Sequence, residues 1–233
     1  MGKFEMHLHT AECDKVAQVG GAEAVKMYCD IGYEGMVVTD NYFSLFYKWF
    51  EGEIKNAEKR NIVERWMKGY YSARNEGEKH GFTVLLGAEV RFDGAINDYL
   101  VYGADEEVFL RTPLLNQLSG VEELIAILPK ECCVVQAHPF RNGMTVYDPN
   151  PLFGIESYNG GTHPIRNELA KSFASYYKKP MLSGSDFHDK TALGRGGIFT
   201  KEPIKSSADL VEILRKGEYS LIENGLCKAW TSL

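Results

Sequence analysis

The chain has 233 residues, enough for one large domain, and its 44% hydrophobic and 25% charged residues are an ordinary globular balance. With 26 Lys and Arg against 32 Asp and Glu the net charge is −6, which excludes the basic footprint of a polyanion binder, so no stable nucleic-acid binding is expected. No apolar run approaches the roughly 18 residues of a membrane span, and charge stands where a secretion signal needs its apolar stretch, so the expectation is a cytoplasmic protein with no membrane partner.

The hydrophobic pattern alternates short runs with helical stretches. Residues 4–9 read as a first strand, 22–31 as a helix ended by Gly32, and 35–40 as a buried strand. An aromatic segment at 42–50 follows, and 51 to 80 carry helical spacing until Gly81. Strands are predicted at 83–89 and 98–103, with the turn signal Asp93-Gly94 between them. The second half repeats the scheme: helix 121–128, strand 132–137, strand 153–157, helix 165–177, strand 180–186, a Gly-rich loop, helix 208–216 and a last strand 219–223. Strand and helix alternate over the full length, which predicts one parallel α/β domain, barrel or doubly wound, over residues 1–233.

Five cysteines (Cys13, Cys29, Cys132, Cys133, Cys227) form no Cys-x-x-Cys pair, which argues against a disulfide framework or zinc ribbon. The histidines are more informative. At this histidine frequency a random chain would hold roughly 0.15 His-x-His pairs, and His7-Leu8-His9 sits on a strand, where residues two apart face the same side. Asp40, Glu89, His138, Asp186 and His188 likewise close predicted strands, and Asp98 opens one. Strand ends of a parallel α/β fold converge on one face, and imidazoles with carboxylates on one rim are a donor set for Zn²⁺, Mn²⁺ or Fe²⁺.

These residues resemble the motifs of the polymerase and histidinol phosphatase (PHP) family: His7-Leu8-His9-Thr10, then Asp14, Thr39-Asp40-Asn41, Glu89, His138-Pro139 and Asp186-Phe187-His188, in family order. The resemblance implies a distorted (β/α)₇ TIM-like barrel and two or three divalent metals (Zn, Mn or Fe, with Mg an alternative). It implies one metal on His7, His9, Glu89 and Asp186, a second sharing Glu89 with His138, and a third on Asp14, position 41 and His188. Two departures stand out. Asn41 replaces the usual histidine, and Asp98 occupies a position where relatives often carry one. The implied activity is a phosphoesterase that attacks a small phosphorylated metabolite or nucleotide through a metal-bridged hydroxide, with Asp14 or His188 assisting the leaving group. Arg91, Arg141 and Arg195 are candidate phosphate ligands, since a planar guanidinium donates two parallel hydrogen bonds, and the glycines of Gly194-Arg195-Gly196-Gly197 offer backbone N–H groups to an anion. The alternative, motivated by Asn41, is a PHP-fold binding or regulatory protein without turnover. A carbon–nitrogen hydrolase of the amidohydrolase type is a third reading.

The aromatic segment reads as packing for the helix after it, with a substrate lid as the competing reading. His80 is given no ligand role, and His163 a contact on the rim.

Overall fold

The structure, a computed structural model, describes residues 2–224. Its strands are β1 (Gly2–Glu5), β2 (Tyr33–Val38), β3 (Asn41–Tyr42), β4 (Thr83–Leu86), β5 (Ala88–Val90), β6 (Tyr99–Tyr102), β7 (Cys133–Gln136), β8 (Gly154–Asn159), β9 (Met181–Gly184), β10 (Gly196–Thr200) and β11 (Tyr219–Glu223). The helices are α1 (Gly21–Asp30), α2 (Ser44–Trp49), α3 (Glu51–Ile54), α4 (Lys59–Trp66), α5 (Lys68–His80), α6 (Glu106–Arg111), α7 (Val121–Ile127), α8 (Pro164–Tyr176) and α9 (Ser207–Lys216).

The strands form two sheets, ordered β11-β10-β1-β2-β4 and β3-β5-β6-β7-β8-β9. The pairs β1–β2–β4, β3–β5 and β7–β8–β9 are parallel, whereas β6 runs antiparallel to both neighbours and β10 to both of its own. The fold is therefore mixed α/β. A single closed (β/α)₇ ladder is not seen among the described residues, because the β5–β6 turn and the return of β10 break the parallel order.

The two sheets nonetheless enclose one inner layer. Phe4, Met6, Val37 and Leu85 of the first sheet pack with Leu100, Tyr102, Val135 and Leu182 of the second. The chain passes between sheets at Thr39-Asp40 and again at Gly87, where a β-carbon would lie 2.7 Å from Val37 Cγ1 and 2.9 Å from Val101 O. The sheets touch again where Leu8 bridges Phe187. Helix α9 contributes Leu210, Val211, Ile213 and Leu214 to the same inner layer and plugs one end of it. Ser206 caps its start by accepting from Asp209 N–H, and Gly217, at φ 68°, supplies the left-handed residue that ends it.

The stretch 51–80 is three helices rather than one, broken where Asn56 adopts φ 64°. The expected Gly-rich loop is instead the start of β10. There a β-carbon on Gly196 would collide with the Gly184 carbonyl and one on Gly197 with Phe4 O, so these glycines serve strand packing. Their N–H groups donate to Ser185 Oγ and Ser183 Oγ rather than standing free for an anion. The aromatic segment is packing: Tyr42, Phe43 and Phe46 are buried, and the Tyr42 ring meets Trp66 edge-on at 4.8 Å.

Candidate metal centre

A regular strand would place residues 4, 6 and 8 on one face. Here Phe4 and Met6 lie in the inner layer while Leu8 packs in the outer one. The slip occurs where the β1 ladder ends at Glu5, whose Oε1 accepts the N–H of Met6 (2.9 Å), His7 (2.9 Å) and Ser185 (2.8 Å). That capped irregularity turns His7 and His9 inward. Two further ligand candidates are aimed by backbone conformation, His138 at φ 26° and Asp186 at φ 52°. Non-glycine residues in the left-handed region are uncommon, and surrounding structure must hold them there. For His138 part of that support is Glu156, which accepts its N–H at 2.9 Å.

His7 Nε2 and His9 Nε2 lie 3.1 Å apart. Glu89 reaches both, Oε1 at 3.3 Å from His7 and Oε2 at 3.4 Å from His9, and Asp186 Oδ1 lies 3.6 and 3.4 Å from the same two nitrogens. All four side chains are buried. His7 Nδ1 is 2.8 Å from Glu156 Oε1, so it donates there and leaves the Nε2 lone pair facing the cluster. Neither oxygen of Asp186 takes a directed hydrogen bond, although Arg141 Nη2 lies 2.9 Å from Oδ2. Converging lone pairs and unbonded buried carboxylate oxygens fit a divalent cation.

The charges show the same strain. Burial opposes a charge on His7, yet Glu156, Glu89 and Asp186 hold its pKa well above the usual value. Burial and the neighbouring His188 push His9 the other way. Burial would raise both acids, but His7 and His138 hold Glu89 well below the carboxylate range, and Arg141 and His7 do so for Asp186.

Asp14, Asn41 and His188 gather beside His9. His188 Nδ1 donates to Asp186 O at 3.0 Å, its Nε2 lies 3.5 Å from Asp14 Oδ2, and its ring stacks on His9 at 4.2 Å. Against burial, Asp14 and Asp186 raise His188 to about 9. Asn41 turns its amide nitrogen to Asp14 Oδ2 at 2.7 Å and lies 3.3 Å from His9 Nδ1. The Asp14 carboxylate can only accept, which selects the nitrogen, so Asn41 stands here as a donor to Asp14. Asp40 anchors the loop after His9 by accepting Thr10 N–H at 2.6 Å and Thr10 Oγ1 at 2.8 Å, and burial raises its pKa to about 7.

Glu89, Asp98 and His138 also lie within ligand distance of one another. Of the arginines, Arg141 lies between Asp186 and His138 and lines a cleft of about 610 Å³ with Asn142, Thr162, His163 and Arg166. Arg91 is paired with Asp98. Arg195 donates to Gly160 O at 3.2 Å and makes no hydrogen bond or ion pair with a candidate ligand among the described residues. His163 caps α8 by accepting Ile165 N–H, and His80 sits far along α5 with Glu76. Cys13, Cys29, Cys132 and Cys133 are free thiols, and Cys227 lies outside the described residues. Glu5 and Glu156 are the residues that sequence reasoning passed over. Their signal was an acid embedded in an apolar strand.

The resemblance to the PHP family is borne out. The family model described as PHP-associated matches residues 164–219, from the start of α8 into β11. A two-domain protein from Bacteroides vulgatus, described as containing a predicted PHP-like metal-dependent phosphoesterase, shares the fold at TM-score 0.67 and 14% identity. The match covers 95% of this chain, which spans 64% of that relative's length. PsfC from Pseudomonas syringae matches at TM-score 0.64 and 16% identity over 94% of this chain and 98% of its own. An amidohydrolase from Chromobacterium violaceum, with bound sulfate and no metal, matches at 0.58 and 12% over 95% and 98%. No curated protein matches in sequence.

Proposed function

We propose that this PHP-like chain works as one domain over residues 1–233, its two sheets corresponding to a distorted (β/α)₇ barrel, and hydrolyses phosphate esters of a small phosphorylated metabolite or nucleotide. The observation that supports this is the approach of both Glu89 and Asp186 to within 3.6 Å of the His7 and His9 Nε2 atoms, beside an arginine that opens onto a cleft. One ion would be held by those four side chains and another by Asp14 and His188, with Zn, Mn, Fe or Mg as the candidates. Such ions neutralise charge on a phosphoryl group and lower the pKa of water.

The protein's own groups do the rest. Glu156 fixes the His7 tautomer, and burial of His7, His9, Glu89 and Asp186 limits their contact with bulk water. Arg141 lines the cleft where substrate would enter, and its charge suits phosphate oxygens. Where no second ion occupies it, the Asp14–His188 pair, with His188 raised to about 9, holds a proton near neutral pH for a leaving alkoxide. The sulfate held by the Chromobacterium violaceum relative supports the idea that this fold accommodates a tetrahedral anion.

Metal analysis combined with hydrolysis of p-nitrophenyl phosphate in added Mn²⁺ or Zn²⁺ tests the reading, with a chromogenic anilide as the carbon–nitrogen control. Bound metal and ester turnover are expected. Neither metal nor turnover with any ion overturns it. A second reading, a binding or regulatory protein, rests on Asn41 tying up Asp14. Under it, Asn41→His produces a large gain in rate, whereas in a tuned enzyme the rate does not rise.

A further inference from the structure

The Glu89–Asp98–His138 grouping differs from the others in what already engages it. The β5–β6 register pairs Val90 with Tyr99, so the next residues outward, Arg91 and Asp98, face each other across the two strands. Arg91 Nε lies 2.6 Å from Asp98 Oδ1 and Nη2 lies 2.6 Å from Oδ2. Both carboxylate oxygens are thus committed to a bidentate, charge-assisted pair. Asp98 is only 1% exposed, and the guanidinium stands 5.6 Å over the Phe43 ring, which fixes its approach. On the other flank, Arg141 Nη1 lies 2.9 Å from His138 Nε2, the nitrogen that also faces Glu89 Oε1 at 2.9 Å. The donor atoms are near enough for a metal, but they do not fit one, because guanidinium groups hold Asp98 and His138.

We infer that Arg91 takes the place of a divalent ion on this flank: clamped to Asp98, it closes the Glu89–Asp98–His138 position to metal and offers a fixed positive charge to the substrate's anionic oxygens. The inference rests on the metallohydrolase reading above. A guanidinium carries five N–H donors, and among the described residues Arg91 Nη1 makes no hydrogen bond, while the side chain is 35% exposed. Asp98 and Arg91 therefore go together. A histidine at 98 would give the arginine no carboxylate to grip, and an aspartate there without the arginine would be a buried, unpaired charge next to Glu89.

Metal content per chain, measured by plasma emission after loading with Mn²⁺ and desalting, tests this. Wild type and His138→Ala are expected to hold the same number of ions. Arg91→Met gains one further ion, and Arg91→Met/His138→Ala loses that gain. Loss of an ion in His138→Ala, or no gain in folded Arg91→Met, overturns the inference and leaves the metalloenzyme reading standing. A wild-type protein that binds no ion overturns both. Should Arg91→Met fail to fold, the comparison of wild type with His138→Ala decides alone.

Discussion

The inner layer of this protein ends in two opposite ways. At one end α9 lays Leu210, Val211, Ile213 and Leu214 against the strands. At the other, His7, His9, Glu89, His138 and Asp186 are buried almost as completely, with two of the acids held far below their usual pKa. The same strands feed both ends. What separates them is the local break in regular structure: the slip at Glu5, the left-handed residues His138 and Asp186, and the sheet change at Gly87. Regular alternation builds the plug, and interruptions of it build the site. Burial at the first end stabilises the fold, whereas burial at the second stores charge that only a cation fully relieves.

This contrast can be broken deliberately. The largest effect is expected from His7→Ala or Glu89→Ala, which should remove bound metal and lower phosphate-ester hydrolysis by about a thousand-fold or more, read by emission analysis and initial rates. Leu214→Ala at the plug should instead cost about 2–5 kcal/mol of stability in urea unfolding and leave the metal count unchanged. If it lost metal as well, the two ends would not be independent. Glu156→Gln, which keeps the shape but weakens the grip on His7 Nδ1, should reduce metal affinity about 10–100-fold in a chelator competition.

A pH titration sharpens the comparison further. His188 is raised from 6.5 to about 9. Its proton favours the folded, metal-free chain fully below pH 6.5, and that contribution is lost as pH rises through about 9. An ion must displace the same proton, so metal affinity should rise across this window while metal-free stability falls, an inverse pattern visible in melting curves with and without Mn²⁺. The smallest effect is expected from His80→Ala: His80 pairs with Glu76 near the end of α5, and its loss should alter neither metal content nor rate.

The centre was legible in sequence where chemistry repeats at strand ends. His7, His9, Glu89, His138, Asp186 and His188 could be read because imidazoles and acids are rare in apolar runs, and the structure brings them together. Asn41 and Asp98 were visible as departures, but their partners were not. That Asn41 donates to Asp14, or that Arg91 grips Asp98, depends on strand register, which the letters do not carry. The orienting acids were hidden for a related reason: Glu5 and Glu156 act across 180 and 149 residues of chain. In the fold, helices with clear caps such as α9 and α1 came out within a residue or two. The single long helix did not, because helical spacing continues through Asn56 while its backbone does not. The Gly-rich segment was misread as a loop, since glycine marks a turn and a close strand crossing equally well.

Glu5 has one more consequence. It ties the first strand to Ser185, beside Asp186, so the two ends of the proposed ligand set meet only once residue 186 has been synthesised. Earlier in synthesis His7 and His9 exist without Asp186, and so without the fourth arm of the grip. On the proposed reading, a product truncated before residue 185 is expected to emerge with no tight hold on an ion.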